Sequence, residues 1–183
     1  MEIILMRHGK PSLGVSRKVS PYEMISWIER YNQAEIGDDS PPDAGRELAA
    51  RATRIVASSS PRALASLQAL GYRPDVIDAL FCEAELPVTH WRWPRLSPFY
   101  WGFIFRLAWL CGYRRHVESK HQARQRAYLA ANQLIALAES GSVLLLGHGM
   151  MNHLIAKQLQ RQGWSEERKQ GHGYWRAAIY KRG

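Results

Sequence analysis

The sequence contains few of the residues that build disulfide or metal frameworks, since only two of its 183 residues are cysteines. Cys82 and Cys111 lie far apart and form no CxxC pair, so neither a disulfide framework nor a zinc site is indicated. The histidines outside the motifs described below lack the close spacing of a metal site. These are His90, His116, His121, His153 and His172. We therefore expect no metal, no cofactor and a reducing, cytoplasmic location.

Acidic residues are also in short supply. The chain has 16 Asp and Glu against 25 Lys and Arg, which gives a formal net charge of +9 and a pI near 9.9. The positive electrostatic field of such a chain favours anionic partners, among them phosphates, nucleic acid and acidic membrane surfaces. The basic residues are scattered and form no helix-turn-helix, zinc or RNA-recognition signature, so we expect no nucleic-acid partner.

Long apolar runs and internal repeats are missing as well. The start MEIILMRHG has too short an apolar run for a signal peptide, and we expect no targeting segment. With 46% hydrophobic residues, the chain can bury a full core and fits one domain, 1–183. Apolar runs predict strands near 2–6, 54–57, 75–81, 143–146 and 175–180. Helical patterns lie between them, near 21–34, 44–53, 62–70, 120–140 and 150–161.

Strands that alternate with helices indicate an α/β fold with a largely parallel sheet. In such folds ligands bind beyond the carboxyl ends of the strands. Arg7 and His8 follow the first strand, Arg62 follows the second, and His148 follows a late strand. Three distant segments thus deliver two arginines and two histidines to one sheet edge.

This set of side chains indicates a phosphate pocket. Guanidinium groups hold phosphate oxygens bidentately, and a histidine ring nitrogen can attack phosphorus. Gly9 and Gly149 would let the backbone approach the anion, and the helix after Gly149 could present free N–H groups.

The motifs MRHG at 6–9, SSSPRA at 58–63 and GHG at 147–149 resemble, in order and spacing, those of the histidine phosphatase superfamily, also called phosphoglycerate mutase-like. The segment DAGREL at 43–48 is similar to that family's helix start between its first two strands. The resemblance spans nearly the whole chain. It implies a three-layer α-β-α sandwich and a phosphomonoester hydrolase of the histidine acid phosphatase type.

The same resemblance implies a role for each pocket residue. His8 would take the phosphoryl group and water would later release it, while Arg7, Arg62 and His148, with Gly149, would hold the phosphate. The family's acid usually follows the third strand, where this sequence has Phe81-Cys82-Glu83. Glu83 would therefore protonate the leaving oxygen, with Glu85 as the nearby rival.

Two departures from the family bear on the substrate, a small phosphomonoester that the sequence does not name. Lys10 stands where many members have Glu or Gln, and Gly14 stands where phosphoglycerate mutases usually have Asn. Both weaken the alternative of a mutase-type phosphotransferase. A non-catalytic anion-binding or interaction module of the same fold is the other alternative.

The segment 91–115 has no counterpart in the family pattern. It holds four of the seven tryptophans, and Ser97-Pro98 and Gly112 mark the start and end of a helix. Trp101, Phe105 and Trp109 recur every four residues on one face. We favour a lid helix packed on the catalytic domain, with lid-like insertions near 15–40 and 88–118.

The alternative for this segment is a peripheral contact with an acidic membrane or a lipid-like phosphate. In that case the helix would leave its aromatic residues exposed. The basic residues at its ends are Arg92, Arg95, Arg114 and Arg115. A transmembrane span is not expected, because the run is shorter than the ~20 residues that a bilayer requires and Arg106 interrupts it. The sequence does not indicate an oligomeric state.

Overall fold

The computed structural model describes residues 1–13, 17–171 and 173–183. Gly14, which departs from the mutase pattern, and His172, expected to be an ordinary histidine, lie outside the described residues. The strands are β1 (Glu2–Arg7), β2 (Arg54–Ser58), β3 (Val76–Asp78), β4 (Val143–Gly147), β5 (Ser165–Lys169) and β6 (Ala177–Lys181). The helices are α1 (Met24–Gln33), α2 (Asp43–Ala50), α3 (Pro61–Leu70), α4 (Pro98–Leu110), α5 (Lys120–Ala138) and α6 (Gly149–Arg161).

The strands form one sheet in the order β3-β2-β4-β1-β6-β5. Strands β1 to β4 are parallel where they pair, whereas β6 is antiparallel to β1 and β5 is antiparallel to β6. The predicted α/β class is confirmed, with a mixed sheet whose first four strands are parallel. Strand β1 lies between β4 and β6, which explains its unbroken apolar run.

Successive residues of β1 face opposite sides of the sheet, as the two-residue period of a strand requires. Ile3 and Leu5 pack into a core with α5 and α6, and Ile4 and Met6 pack into a second core with α2 and α3. Helices therefore cover both faces, which is the predicted three-layer arrangement. The carboxyl edge of β1, β2 and β4 is left for the site.

Several elements differ from the sequence prediction, among them helix α2, which ends at Ala50 and not at Thr53. Strand β5 was not predicted, because its sequence SEERK is polar and fully exposed and it is held in place by pairing with β6. Helix α1 begins at Met24 and not at Pro21, since the Glu23 carboxylate accepts hydrogen bonds from the backbone and hydroxyl of Ser20 and fixes a turn there. Strand β3 ends at Asp78, whose side chain accepts from Leu80 N at the start of a 3-10 turn.

The last boundary concerns β6, which begins at Ala177 although the prediction placed its start at Trp175. Trp175 has a left-handed backbone, with φ of 59°, and this conformation is incompatible with a regular strand.

Helices α1 and α4 pack together in a third apolar cluster. Trp101, Phe105 and Trp109 are all buried, as their four-residue recurrence on one face predicts. Trp101 Nε1 donates to the carbonyl of Val19 at 2.8 Å, and Val19 forms an antiparallel bridge with Leu96. The two segments predicted to be lid-like therefore contact each other. Among the described residues, no helix is long and apolar enough to cross a membrane.

Candidate active site

The carboxyl ends of β1, β2 and β4 bring the predicted pocket residues together. Arg7 ends β1 and His8 follows it, Arg62 lies in the first turn of α3 just after β2, and His148 stands between β4 and α6. His8, Arg62 and His148 are buried. The ring centroids of His8 and His148 are 5.0 Å apart.

His8 is held in one orientation by its backbone. Its Nδ1 lies 2.7 Å from the carbonyl oxygen of Gly9, so Nδ1 carries the proton and donates. Burial, followed by the nearby His148 and Arg62, lowers the pKa of His8 to about 2. The imidazole is therefore neutral, and its Nε2 keeps the lone pair that a nucleophile needs.

Arg62 connects the two histidines. Its Nε donates to His8 Nε2 and its Nη2 to His148 Nδ1, both at 3.3 Å, while Nη1 donates to the carbonyl of Tyr31. The guanidinium also lies over the Tyr31 ring, 4.9 Å from its centroid. Burial of the Arg62 cation costs free energy, and so does its place in the first turn of a helix, where it opposes the helix dipole. An anion bound beside Arg62 would offset both costs.

His148 has both ring nitrogens engaged. With Nδ1 accepting from Arg62, Nε2 is left to donate to Ser58 Oγ at 2.7 Å or Ser60 Oγ at 3.1 Å. Burial, and then the charge of Arg62, lowers the pKa of His148 well below its ordinary value. A phosphate oxygen that binds His148 must therefore replace a serine hydroxyl or the Arg62 contact.

Arg7 lies between Tyr174 and the start of α6. Its guanidinium carbon is 4.4 Å from the centroid of the Tyr174 ring. A Cβ placed on Gly149 would lie 3.6 Å from Arg7 Nε, an ordinary contact, so Gly149 is not needed for close packing there. Arg7 is thus at the amino end of α6, where the N–H groups of Met150 and Met151, expected from the sequence to be free for an anion, donate to Glu83 instead.

Glu83 is held by the same helix end. Its Oε2 accepts from Met150 N at 3.1 Å, and its Oε1 accepts from Met151 N at 3.0 Å and Ala84 N at 2.9 Å. The positive end of the α6 dipole favours a carboxylate in this position. Glu85, its rival, is exposed and lines the same cleft.

A cleft of about 830 Å³ opens in front of these groups. Arg7, Arg62 and Glu83 line one wall. The rest of the lining comes from α1, Leu86, Val88 and α4, whose Arg106 also lines the cleft. Arg106 donates to the carbonyl of Ala84 at 2.6 Å and is partly buried. Lys10 is exposed, and its backbone N–H donates to Asp39 Oδ2.

Gly9 has a structural function that its sequence motif does not indicate. A Cβ at Gly9 would lie 2.5 Å from Trp175 Cζ2 and 3.0 Å from Asp39 Oδ2. Asp39 also accepts from Trp175 Nε1 at 2.7 Å, and Gly9 N donates to Ser66 Oγ at 2.9 Å. The missing side chain of Gly9 therefore makes room for Trp175.

Sequence reasoning missed Tyr31, Asp39, Arg106, Tyr174 and Trp175. They come from α1, α4 and loops far from the three motifs, so no spacing rule connects them to the site. Arg106 had one signal, because it is the single charge within the apolar run that forms α4. Within 1–13, 17–171 and 173–183, no group of three His, Cys, Asp or Glu side chains is placed to hold a metal ion.

No protein-family model matches the sequence, and no curated protein matches it. Solved structures do match. A mycobacterial glucosyl-3-phosphoglycerate phosphatase in complex with VO3 is 20% identical, with a TM-score of 0.58, over 87% of this chain and 82% of that chain. A phosphoserine phosphatase from Entamoeba histolytica, in complex with 3-phosphoglyceric acid, is 15% identical, with a TM-score of 0.60, over 97% of this chain and 89% of that chain.

A structure of TTHB049 from Thermus thermophilus is also similar, at 18% identity and a TM-score of 0.53, over 87% of this chain and 85% of that chain. The chain has the phosphoglycerate mutase-like fold of the histidine phosphatases. The resemblance found in the three sequence motifs is thus confirmed at the level of the fold.

Proposed function

We propose that the protein is a phosphomonoesterase that works through a phosphohistidine on His8. The observation that carries this proposal is the pairing of a neutral His8, whose Nδ1 proton is fixed on Gly9, with Arg62 at Nε2. The nucleophilic nitrogen is thereby next to a guanidinium that can bind the oxygens of the phosphate under attack.

In the first step, the Arg62 N–H that donates to His8 Nε2 turns to a phosphate oxygen, the freed Nε2 attacks phosphorus, and the bond from phosphorus to the ester oxygen breaks. Arg62 and Arg7 neutralise the equatorial oxygens, and Glu83 gives a proton to the leaving oxygen. In the second step, water attacks the phosphohistidine, Glu83 takes a proton from it, and the P–N bond breaks. The products are an alcohol and inorganic phosphate, and both residues return to their starting states.

The acid role requires Glu83 to carry a proton when the substrate is bound. Its contacts with Met150 and Met151 are then exchanged for one with the ester oxygen. Glu85 lines the same cleft and is the second candidate for this proton.

Hydrolysis is preferred over phosphotransfer because a hydrolase needs only water as acceptor, whereas a mutase must hold a second phosphoryl group. The similar structures named as phosphatases also support it. The alternative of a non-catalytic module predicts phosphate binding without turnover, so a turnover assay separates the two.

The test is hydrolysis of para-nitrophenyl phosphate from acidic to neutral pH, followed by alkaline trapping of labelled phosphate on the protein. Wild type should turn over and give an acid-labile phosphohistidine at residue 8. His8→Ala should do neither, while the control His121→Ala, on an exposed histidine, should do both. Full turnover by His8→Ala would end the proposal.

A further inference from the structure

Helix α4 is apolar on both faces. Its inner face packs on the protein, but its outer face is open to solvent, with Phe103 67% and Leu107 52% exposed. The other large apolar residues of the outer face are Phe99, Tyr100, Ile104 and Leu110. Soluble monomers rarely expose contiguous apolar patches of this kind, and such patches mark interaction sites.

Two tryptophans and a tyrosine outside α4 are exposed as well. Trp91 and Trp93 are 67% and 79% exposed, Tyr22 is 48% exposed, and Tyr22 N donates to the carbonyl of Trp91 at 3.0 Å. We call these three residues and the outer face of α4 the aromatic face. Tryptophan and tyrosine are the residues that proteins place at the boundary between lipid and water.

The chain segment that carries α4, Trp91 and Trp93 has charges of one sign. Residues 86–117 include no Asp or Glu and five arginines. Four of the five are exposed and flank α4 at its two ends, namely Arg92, Arg95, Arg114 and Arg115. Arg95 pairs with Glu23 at 3.0 Å, the one acidic contact at this end that the described residues show. Anionic headgroups attract such a surface, whereas a second copy of the chain would bring the same positive charge against it.

We propose that the aromatic face binds the surface of an anionic lipid bilayer. Helix α4 has 13 residues and is about 20 Å long, so it lies in the plane of the interface and does not cross it. Phe99 and Gly102 of α4 also line the cleft, so the bound protein holds its active site beside the lipid surface. Trp101 and Trp109, whose exposure the sequence-based alternative required, are buried and take no part.

The test is co-sedimentation with vesicles of phosphatidylcholine alone and of phosphatidylcholine mixed with phosphatidylglycerol. Wild type should sediment with the mixed vesicles and not with the neutral ones. The double variant Phe103→Gln, Leu107→Gln should lose at least tenfold in vesicle affinity. Its matched control is Tyr128→Gln, Leu129→Gln, which replaces two exposed apolar residues of α5 and should bind like wild type.

A second pair tests the charge. The double variant Arg114→Gln, Arg115→Gln should weaken vesicle binding. Its control is the double variant Arg168→Gln, Arg182→Gln, which replaces two exposed arginines on another part of the chain and should weaken binding less. Neither Phe103 nor Leu107 lines the cleft. The Phe103→Gln, Leu107→Gln variant should therefore turn over a soluble aryl phosphate like wild type, and this turnover would show that the variant is folded. The proposal is overturned by equal binding to neutral vesicles, by no binding, or by a wild-type dimer that the Phe103→Gln, Leu107→Gln variant converts to a monomer.

The cleft itself carries a second inference, which rests on the proposed function. Its wall formed by α1, α4, Leu86 and Val88 carries partly buried apolar side chains beside the polar Glu29, Asn32 and Arg106, and its volume far exceeds that of a phosphate group. The apolar residues of this wall include Ile25, Ile28, Leu86 and Val88. We infer that the substrate is a phosphomonoester whose alcohol part is apolar, so that it gains by leaving water against this wall.

The test compares kcat/KM for octyl phosphate, ethyl phosphate and phosphoserine. Octyl phosphate should be preferred, by roughly threefold for each methylene group that is buried. Ile28→Ser should reduce the preference, whereas Ile28→Leu should keep it, and Ile104→Ser on the outer face of α4 is the control. Equal rates for octyl and ethyl phosphate, or a preference for phosphoserine, overturn the inference while aryl phosphate turnover still supports the proposed function. Loss of all turnover removes both.

Discussion

The Nε atom of Arg62 lies 3.3 Å from Nε2 of His8, the nitrogen that would attack phosphorus. A guanidinium this close cannot donate to a protonated imidazole nitrogen, so the contact itself requires Nε2 to be unprotonated. The second branch of the same guanidinium reaches His148. Arg62 thus fixes the nucleophile and occupies the place where phosphate oxygens would bind.

Arg62→Lys should lower kcat/KM by on the order of 100-fold or more, because a lysine ammonium cannot replace the forked guanidinium, whose Nε and Nη2 contact both histidines. The loss should be similar for activated and poor leaving groups, and inhibition by inorganic phosphate should weaken. Arg30→Lys, on the exposed side of α1, is the matched control. Normal kcat/KM in the Arg62→Lys variant would show that the fork is dispensable.

Glu83→Gln should slow hydrolysis most for substrates with poor leaving groups. An alkyl phosphate needs its leaving oxygen protonated, whereas para-nitrophenolate leaves without help, so the aryl substrate should lose little. The measurement is kcat for a series of phosphomonoesters of increasing alcohol pKa in Glu83→Gln and Glu85→Gln. If kcat depended more steeply on the pKa of the leaving alcohol in Glu85→Gln alone, the acid role would belong to Glu85.

The stability of the protein should depend on the protonation of His8. Because burial lowers the pKa of His8 from 6.5 to about 2, the folded protein keeps the ring neutral, whereas the unfolded chain binds a proton below about pH 6.5. Above pH 6.5 both states keep the ring neutral, so His8 costs the folded protein no stability. Below pH 6.5 the free energy of unfolding falls with the pH, because only the unfolded chain binds the proton. Between pH 7 and pH 5 the free energy of unfolding should fall by up to about 2 kcal/mol more in wild type than in His8→Gln.

Urea unfolding in phosphate-free buffer measures this difference, since bound phosphate would favour the charged imidazole. Burial also lowers the pKa of His148. The His148→Gln variant should therefore also lose less free energy of unfolding than wild type between pH 7 and pH 5. The exposed His90 is the control, and His90→Gln should keep the wild-type slope. Identical slopes in His8→Gln and wild type would mean that His8 is not held neutral in the folded protein.

The order of strands and helices and the meeting of Arg7, His8, Arg62 and His148 could be predicted from the sequence. Buried parallel strands have continuous apolar runs, and their carboxyl ends meet at one edge. Strand β5 could not be predicted, because its stability comes from pairing with β6 and its residues show no pattern. Which residues of α4 are exposed depends on how the helix packs on α1, because both faces are apolar in sequence.

Gly9→Ala should destabilise the protein by about 1–3 kcal/mol and reduce turnover, although alanine is small and the position follows the nucleophile directly. The new Cβ would meet Trp175 at 2.5 Å, and Trp175 is buried and tied through Nε1 to Asp39, so it cannot move away freely. Relief must come from the loop that carries His8, which would shift Nε2 from Arg62. Thermal unfolding and kcat/KM check both effects.

The matched control is Gly102→Ala, in the middle of α4, where a Cβ meets no atom within 4 Å. Because alanine has the higher helix propensity, this variant should be stabilised by about 0.5–1 kcal/mol. If Gly9→Ala were as stable as Gly102→Ala, Trp175 would have room to shift, and Gly9 would be required for a close approach of the phosphate instead. Wild-type turnover in that stable Gly9→Ala variant would exclude this second role as well.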